Sequence, residues 1–332
     1  MEIDQRNAGA SVTITNTLAA TYTVDRWAAY ASVTSKFSAQ RNAGAVTPPA
    51  GFVNYLGATS LSSYTAGASE LYYLYQPIEG FNLADLAWGS ASAQPVTISF
   101  WVRSSLTGSF SGAITNGAYN RSYPFSYTIS AANTWEYKTI TIPGDTTGTW
   151  ATNNTTGANL FFNLGTGSNN LGTANAWTAT GLIGVTGSQS IIATNGATLF
   201  ITGAQLEVGT VATSFDYRPY GTELALCQRY AEAISLIGAG GTTNPTGFIC
   251  EANATNAAYI NFAFTVQKRA TPTITFSSTP TLQQGQGSLG TISSFGALNL
   301  NGGAQILGTG FVVGINHIVG TSTASLLATS EL

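Results

Sequence analysis

Seven aromatic side chains in the first half of the chain stand among asparagine, glutamine and hydroxyl residues. They are Tyr72, Tyr73, Tyr75, Trp88, Trp101, Tyr119 and Tyr123. A sugar presents an apolar face of C–H bonds that stacks on an aromatic ring, while amide and acid side chains reach its hydroxyls. This mixture predicts a surface that binds carbohydrate without cleaving it. The alternative is structural, because most aromatic residues of a β-sandwich lie in its core.

Cleavage of a glycosidic bond would need a pair of carboxylates. The candidates are Glu70, Glu79, Asp85, Glu136, Asp145 and Glu207. Acidic residues are sparse in this chain, and each of these more often caps a turn or pairs with an arginine. The sequence also has no repeat typical of a parallel β-helix, a frequent scaffold of polysaccharide-cleaving proteins. We therefore expect no enzymatic activity.

Other reactive side chains have no partners that would support catalysis or metal binding. The single histidine, His317, shares a predicted strand face with Val313 and Ile315, which favours a structural, hydrogen-bonded role. Cys227 and Cys250 cannot form a metal site by themselves. The serines lack the Gly-x-Ser-x-Gly pattern of a nucleophile. The sequence thus predicts no catalytic residue, no metal site and no cofactor.

Composition favours an all-β protein. Hydrophobic residues make up 44% of the 332 residues, which excludes disorder, but charged residues make up only 8%, against about 25% in ordinary globular chains. Neutral polar residues must therefore keep the chain soluble. Abundant threonine and glycine favour short strands and tight turns.

Charge and hydropathy exclude two classes of partner. The net charge is −3, and no basic cluster is larger than Lys268-Arg269, so we expect no binding to nucleic acid. No apolar run is long enough to span a bilayer, and the sequence contains no basic region followed by a hydrophobic core that would act as a signal peptide. We expect the protein to remain in the cytosol where it is made, or in a particle assembled there.

Period-two alternation predicts about eight or nine strands before residue 210, enough for a two-sheet sandwich. The clearest is 95–103, where Val96, Ile98, Phe100 and Val102 share one face. The remaining strands of this count lie among the candidate segments 21–31, 33–39, 51–60, 69–76, 120–130, 134–142, 159–164, 181–193 and 198–208. Residues 78–88 predict a short helix or an irregular crossing.

A junction follows the last of these strands. After Pro219, the residues Leu224, Cys227, Tyr230 and Ile234 recur at helical spacing. All six tryptophans precede this point, which supports two separate cores. Beyond it, about five or six short strands leave edges that a neighbouring copy of the chain could cover, so we expect an oligomer.

The junction carries a resemblance to a known family. Residues 203–209 (GAQLEVG), Phe215, 218–221 (RPYG) and 223–230 (ELALCQRY) resemble the junction of tail-fibre-like virion structural proteins of tailed bacteriophages. Residues 3–11 (IDQRNAGAS) and 22–27 (YTVDRW) are similar to the start of the same module. The resemblance covers roughly residues 1–230 and is looser beyond.

Three expectations follow from the resemblance. Residues 1–212 form a jelly-roll β-sandwich that resembles carbohydrate-binding modules, 213–238 a short helical connector, and 239–332 a small C-terminal β-domain for oligomerisation. The oligomer is a homotrimer. Modules of this architecture often hold a structural calcium, for which Asp4, Asp25 and Glu207 are the only carboxylates on offer, and we predict no metal site there.

The sequence therefore predicts a bacteriophage virion structural protein, assembled in the bacterial host cytoplasm. As a tail-fibre-like protein it would project from the particle and attach to a host-surface polysaccharide. The alternative is a capsid decoration, head-fibre or cement protein that contacts only virion proteins of the tail or capsid. We expect no nucleic-acid partner and no membrane insertion.

Overall fold

The protein forms two compact units in the computed structural model. The first comprises Met1–Arg218 with the terminal Leu332, and the second comprises Pro219–Glu331. The structure describes residues 1–15, 20–235, 248–254, 256–276, 281–284, 287–297, 301–308, 316–320 and 325–332. The domain boundaries predicted at 212 and 238 stay a prediction. No helix in these ranges has the length and apolar character needed to cross a bilayer.

The first unit consists of fourteen strands. They are β1 (Val12–Thr13), β2 (Thr21–Val24), β3 (Trp27–Ala31), β4 (Phe37–Arg41), β5 (Leu56–Ser60), β6 (Tyr72–Glu79), β7 (Val96–Ser104), β8 (Gly108–Asn116), β9 (Ser122–Ile129), β10 (Glu136–Ile142), β11 (Thr156–Asn163), β12 (Leu171–Gly172), β13 (Gly184–Val185) and β14 (Thr198–Val208). Short 3-10 helices occupy Ala43–Ala45, Gly80–Leu86 and Ser168–Asn170.

Twelve of these strands build two six-stranded antiparallel sheets. Sheet A has the order β1-β4-β5-β14-β7-β10, and sheet B has the order β2-β3-β6-β11-β8-β9. The short β12 and β13 pair in parallel beside them. This arrangement confirms the prediction of a mostly β protein whose first part is a two-sheet sandwich.

Several strands agree closely with the prediction, and two predicted segments differ from the structure. The alternating segment 95–103 is β7, and 120–130 contains β9. Residues 21–31 form two strands rather than one, because the chain turns at Asp25 and Arg26, the latter with a left-handed φ of 66°. The segment 181–193 holds only the two-residue β13, since most of it is a loop.

Strand β8 was missed because its pattern is carried by small residues. Its middle reads Ser111, Gly112, Ala113, and glycine weakens a strand signal. The structure explains the glycine, because a Cβ at Gly112 would lie 2.2 Å from the backbone oxygen of Phe161 on neighbouring β11. The close approach of β8 and β11 therefore requires Gly112, and the same glycine weakens the strand pattern in the sequence.

The inner faces of the two sheets enclose an aromatic core. Phe100 of sheet A meets Phe162 and Tyr127 of sheet B with ring centroids 5.0 and 5.2 Å apart, both edge to face. Tyr127 is buried, and its hydroxyl has no hydrogen-bond partner among the described residues. A buried hydroxyl without a partner loses its hydration and gains nothing in return.

We expect Tyr127→Phe to leave the free energy of unfolding unchanged or to raise it by up to about 1 kcal/mol, because it removes only the unpaired hydroxyl. The control is Tyr55→Phe, since the buried Tyr55 hydroxyl donates to the Ala43 carbonyl at 2.6 Å and accepts from the Val46 N–H at 2.8 Å. Tyr55→Phe should lower the free energy of unfolding by about 1–3 kcal/mol. Chemical denaturation measures both, and an equal loss for the two variants would contradict the assignment.

The end of β14 explains part of the junction motif. Gly203 has a φ of +58° at a register shift between Thr202 and Gln205, and a Cβ there would lie 2.5 Å from the Phe52 ring. Beyond the shift, the Gln205 side chain accepts a hydrogen bond from the Asp216 N–H at 2.8 Å. The motif residues therefore bend the strand and tie it to the segment that follows.

In the described residues, the second unit has one helix and nine strands. They are α1 (Tyr220–Gln228), β15 (Ala231–Ser235), β16 (Phe248–Ala254), β17 (Ala257–Ala263), β18 (Thr273–Phe276), β19 (Thr281–Gln284), β20 (Gly287–Ala297), β21 (Gly302–Gly308), β22 (Asn316–Gly320) and β23 (Ser325–Thr329). Six strands close a barrel in the order β16-β17-β21-β20-β19-β22, and three form a sheet in the order β15-β23-β18.

Helix α1 ends earlier than helical spacing predicted. Leu224 and Cys227 lie in the helix, but Ile234 belongs to β15. The end of the helix is bound by Lys268, which lies in the loop before β18. Its fully buried ammonium donates to the Gln228 carbonyl and to the Glu232 carboxylate, each at 2.5 Å. This ion pair joins the helix end, β15 and the loop before β18.

Candidate functional site

The outer face of sheet A carries an aromatic pair, one ring half-buried and one exposed, beside rows of hydroxyl side chains. Trp101 of β7 lies opposite Tyr137 of β10, with ring centroids 5.4 Å apart and the rings tilted by 49°. Trp101 is half-buried, and Tyr137 is 44% exposed. Thr139 and Thr141 follow Tyr137 along the same exposed face. We call Trp101, Tyr137, Thr139 and Thr141 the Trp101 surface.

Strand β14 borders the Trp101 surface on one side. Cross-strand pairing aligns Thr139 with Ser99 and Gln205, and Thr141 with Thr97 and Glu207. The Glu207 carboxylate accepts hydrogen bonds from the Thr213 N–H at 2.9 Å and hydroxyl at 2.6 Å. Burial by itself would raise the pKa of Glu207. These hydrogen bonds and one from Gln205 outweigh burial, so the pKa of Glu207 lies below its ordinary value. Glu207 is therefore an ionised structural group here.

A basic residue lies at the other end of the surface. Arg103 follows Trp101 by two residues on β7, so the two side chains share the outer face. Its Nε donates to the Asn133 carbonyl at 2.9 Å, and its guanidinium carbon lies 5.5 Å from the Phe200 ring centroid. Beneath it Phe200 packs with the buried Tyr55, and Tyr55 contacts Trp135. Arg103 therefore borders a second aromatic cluster next to the Trp101 surface.

The outer face of sheet B also carries aromatic rings, but most are buried. Tyr73 stacks on Tyr30 with centroids 5.5 Å apart and meets Phe161 edge to face at 4.8 Å. Tyr75 stacks on Phe161 at 5.3 Å, and Ile183 packs against the same group. Burial raises the pKa of the Tyr73 phenol. These rings form a small second core, because the chain between β11 and β14 covers this part of the sheet.

The structure places the seven predicted binding residues in three environments. Tyr72, Trp88 and Tyr123 belong to the main core, and Tyr73 and Tyr75 belong to the small second core. Only Trp101 and Tyr119 keep substantial exposed surface, and Tyr119 is 46% exposed at a turn beside sheet B. The structure does not bring the seven together at one surface.

Sequence analysis missed Tyr137. It lies on an edge strand whose residues alternate between half-buried and exposed, with Ile140 and Ile142 on the inner side. The alternation placed Tyr137 opposite those isoleucines, which was the available signal that it points outward. Its position across from Trp101 depends on the pairing of β7 with β10, which the sequence does not reveal.

The candidate catalytic carboxylates have structural partners. Arg121 binds Asp145 with two hydrogen bonds, and Lys138 contacts Glu136 at 2.7 Å. Glu70 accepts hydrogen bonds from the Tyr64 and Tyr72 hydroxyls at 3.0 and 2.9 Å. Of the others, Glu79 is buried, Asp85 is exposed and Glu207 binds Thr213.

The carboxylates offered for calcium are used otherwise. Asp4 accepts hydrogen bonds from the N–H groups of Asn7 and Gly9, and Asp25 accepts one from the Gln5 amide at 2.6 Å. Burial raises the pKa of Asp25, against the lowering effect of Gln5 and Arg6. Within the described ranges, no group of three histidine, cysteine or acidic residues could hold a metal ion.

The remaining reactive residues lie in the second unit. Cys227 is a buried thiol in α1, and Cys250 lies in β16. His317 lies in β22. Val313 and Ile315, which were predicted to share its face, lie outside the described residues.

Comparisons with known proteins identify no family. No family model matches the chain, and no curated protein matches it. Among solved structures, the enzymatically active domain of tailspike protein 4 from bacteriophage CBA120 is similar over 55% of this chain, with 11% identity and a TM-score of 0.33. This chain spans 19% of the length of that tailspike.

Two carbohydrate-binding modules are also similar. A family 4 module matches 63% of this chain and 100% of its own, with 15% identity and a TM-score of 0.31. A family 11 module from Clostridium thermocellum, in complex with a mixed-linked tetrasaccharide, matches 62% of this chain and 99% of its own, with 12% identity and a TM-score of 0.30. At these TM-scores the similarities assign no function, and the sandwich is defined by its own strand pairing.

Proposed function

We propose that this chain is a bacteriophage virion structural protein that binds a host-surface polysaccharide through the Trp101 surface. In this proposal it is tail-fibre-like, projects from the particle and is a homotrimer assembled in the bacterial host cytoplasm. The phage context is supported by the junction and N-terminal motifs. It binds polysaccharide without cleaving it and needs no cofactor.

The observation that carries the proposal is the pair of the half-buried Trp101 and the exposed Tyr137 on one outer sheet face. An exposed ring offers its face to the C–H side of a sugar, and stacking gains free energy only where the ring is open to the ligand. Thr139 adds a hydroxyl group within the same face, where it can bond to a sugar hydroxyl, and Thr141, whose hydroxyl donates to the Thr210 carbonyl at 3.2 Å, can still accept a hydrogen bond. Elsewhere in the first unit, the predicted aromatic residues mostly face other rings.

We expect Trp101→Ala and Tyr137→Ala each to weaken binding of the host polysaccharide about 30-fold, because exposed aromatic anchors typically contribute about 2 kcal/mol or more. Phe81→Ala is the matched control, since it removes an exposed ring of the first unit that lies outside the Trp101 surface, and it should bind as the wild type does. Binding is measured on a glycan array and then by calorimetry with the selected polysaccharide. Thermal unfolding of each variant confirms that it is folded.

Three outcomes would contradict the proposal. If Trp101→Ala and Tyr137→Ala both bind with the affinity of the wild type, the Trp101 surface is excluded as the binding site. Absence of binding to any host polysaccharide, with the protein imaged on capsid facets or vertices, would favour a decoration or cement protein. Release of reducing ends from the bound polysaccharide would identify an enzyme.

A further inference from the structure

Arg103 provides a positive charge beside the Trp101 surface. Residues two apart on a strand project from the same face about 7 Å apart, a distance that one sugar unit and its exocyclic group can cover. The Nε of Arg103 is engaged with Asn133, which fixes the side chain on the sheet. The guanidinium has further N–H donors at its two terminal nitrogens.

The charge of Arg103 is not neutralised within the described part of the chain. None of the ion pairs there involves Arg103. On the neighbouring β10, Glu136 binds Lys138 instead. A half-buried arginine without a carboxylate partner favours an anion supplied by a ligand.

We infer that the polysaccharide bound at the Trp101 surface is acidic and that Arg103 binds the carboxylate of one of its uronic-acid units. This inference rests on the proposed function and specifies its ligand. A planar guanidinium can donate two parallel N–H bonds to a carboxylate, which selects that group by geometry as well as by charge. Stacking on Trp101 would hold the sugar ring while Arg103 holds its acid group.

The test compares uronic-acid polysaccharides with their carboxyl-reduced forms, which keep the same backbone and lose the charge. The full chain should bind the acidic forms more tightly, and this preference should fall as salt is added. Arg103→Gln should weaken binding of the acidic form about fivefold and leave binding of the reduced form unchanged. Arg103→Lys should have an intermediate affinity, because it keeps the charge and loses the paired donors.

Lys36→Gln is the control for net charge, since Lys36 lies over the Tyr64 ring at 4.2 Å, away from sheet A's aromatic pair. It should bind both polysaccharide forms as the wild type does. If the wild type binds acidic and reduced forms equally, or if Arg103→Gln keeps the preference, the inference is overturned. If Trp101→Ala still weakens polysaccharide binding in that case, the proposed function is unaffected. If Trp101→Ala binds both the acidic and the carboxyl-reduced polysaccharide as tightly as the wild type does, the proposed site itself is overturned.

Discussion

Replacing Lys268 with methionine is expected to lower the free energy of unfolding of the second unit by about 3–5 kcal/mol. The Lys268 side chain is fully buried, and its ammonium donates to the Glu232 carboxylate and to the carbonyls of Gln228 and Val266. Burial lowers the pKa of Lys268, while Glu232 opposes that effect. Without the lysine, a buried carboxylate keeps only its hydrogen bonds from Thr265.

The double variant Lys268→Met, Glu232→Gln should recover much of that loss, because it removes the unpaired charge as well. Lys36→Met is the control, since Lys36 is only half-buried and its replacement should cost less than about 1 kcal/mol. Denaturation of the full chain, with hydrogen exchange to follow β15 and α1, measures the effect. A double variant no more stable than Lys268→Met would show that the buried charge is not the cause.

Asp145→Ala is expected to destabilise the first unit by about 3 kcal/mol. Arg121 donates to Asp145 through Nε at 2.8 Å and through Nη2 at 2.5 Å. The same carboxylate accepts bonds from the Trp150 indole and from the Thr147 N–H and hydroxyl. The variant would leave Arg121 and the buried Trp150 N–H without this acceptor.

The cost of Asp145→Ala should also depend on pH. Burial raises the pKa of Asp145, but the bonds from Arg121 and Thr147 outweigh it and lower the pKa below its ordinary value of 3.8. A carboxyl whose folded-state pKa is lowered contributes its stability above the unfolded value and loses it as pH falls through the folded one. The gap between wild type and variant should therefore be constant at neutral pH and narrow below about pH 4.

Denaturant unfolding at several pH values tests this. Glu136→Gln is the control, because Glu136 pairs with Lys138 at a partly exposed position, where the expected cost is about 1 kcal/mol or less. A pH-independent gap for Asp145→Ala would mean that packing rather than the ion pair accounts for the loss.

The sandwich could be predicted because its clearest strands alternate strictly. β7 places Val96, Ile98, Phe100 and Val102 on one side, and one buried face requires that pattern. β8 could not be predicted, because the contact that demands Gly112 comes from β11, which is distant in sequence. A strand can be predicted from sequence where its own residues alternate, and it cannot where a neighbouring strand determines which residues it needs.

The candidate site was predicted only in part for a similar reason. Residue type predicted Trp101 and Tyr72 alike as sugar-binding residues, but Trp101 lies half-buried on the outer face of sheet A, while Tyr72 is fully buried between the sheets. Exposure depends on which segments cover a face, and the chain between β11 and β14 covers much of sheet B. Tyr137 gains its significance only from the register that sets it opposite Trp101.

The central position of β14 has a mechanical consequence. β14 lies between β5 and β7 and runs antiparallel to both, and the residues after it lead into the second unit. Interstrand hydrogen bonds are perpendicular to the strands, so a pull along β14 loads the whole ladder in shear at once instead of peeling it bond by bond. A load carried through Arg218 along β14 would therefore have to break the bonds to β5 and β7 together, which resists rupture better than a load on an outer strand with one neighbour.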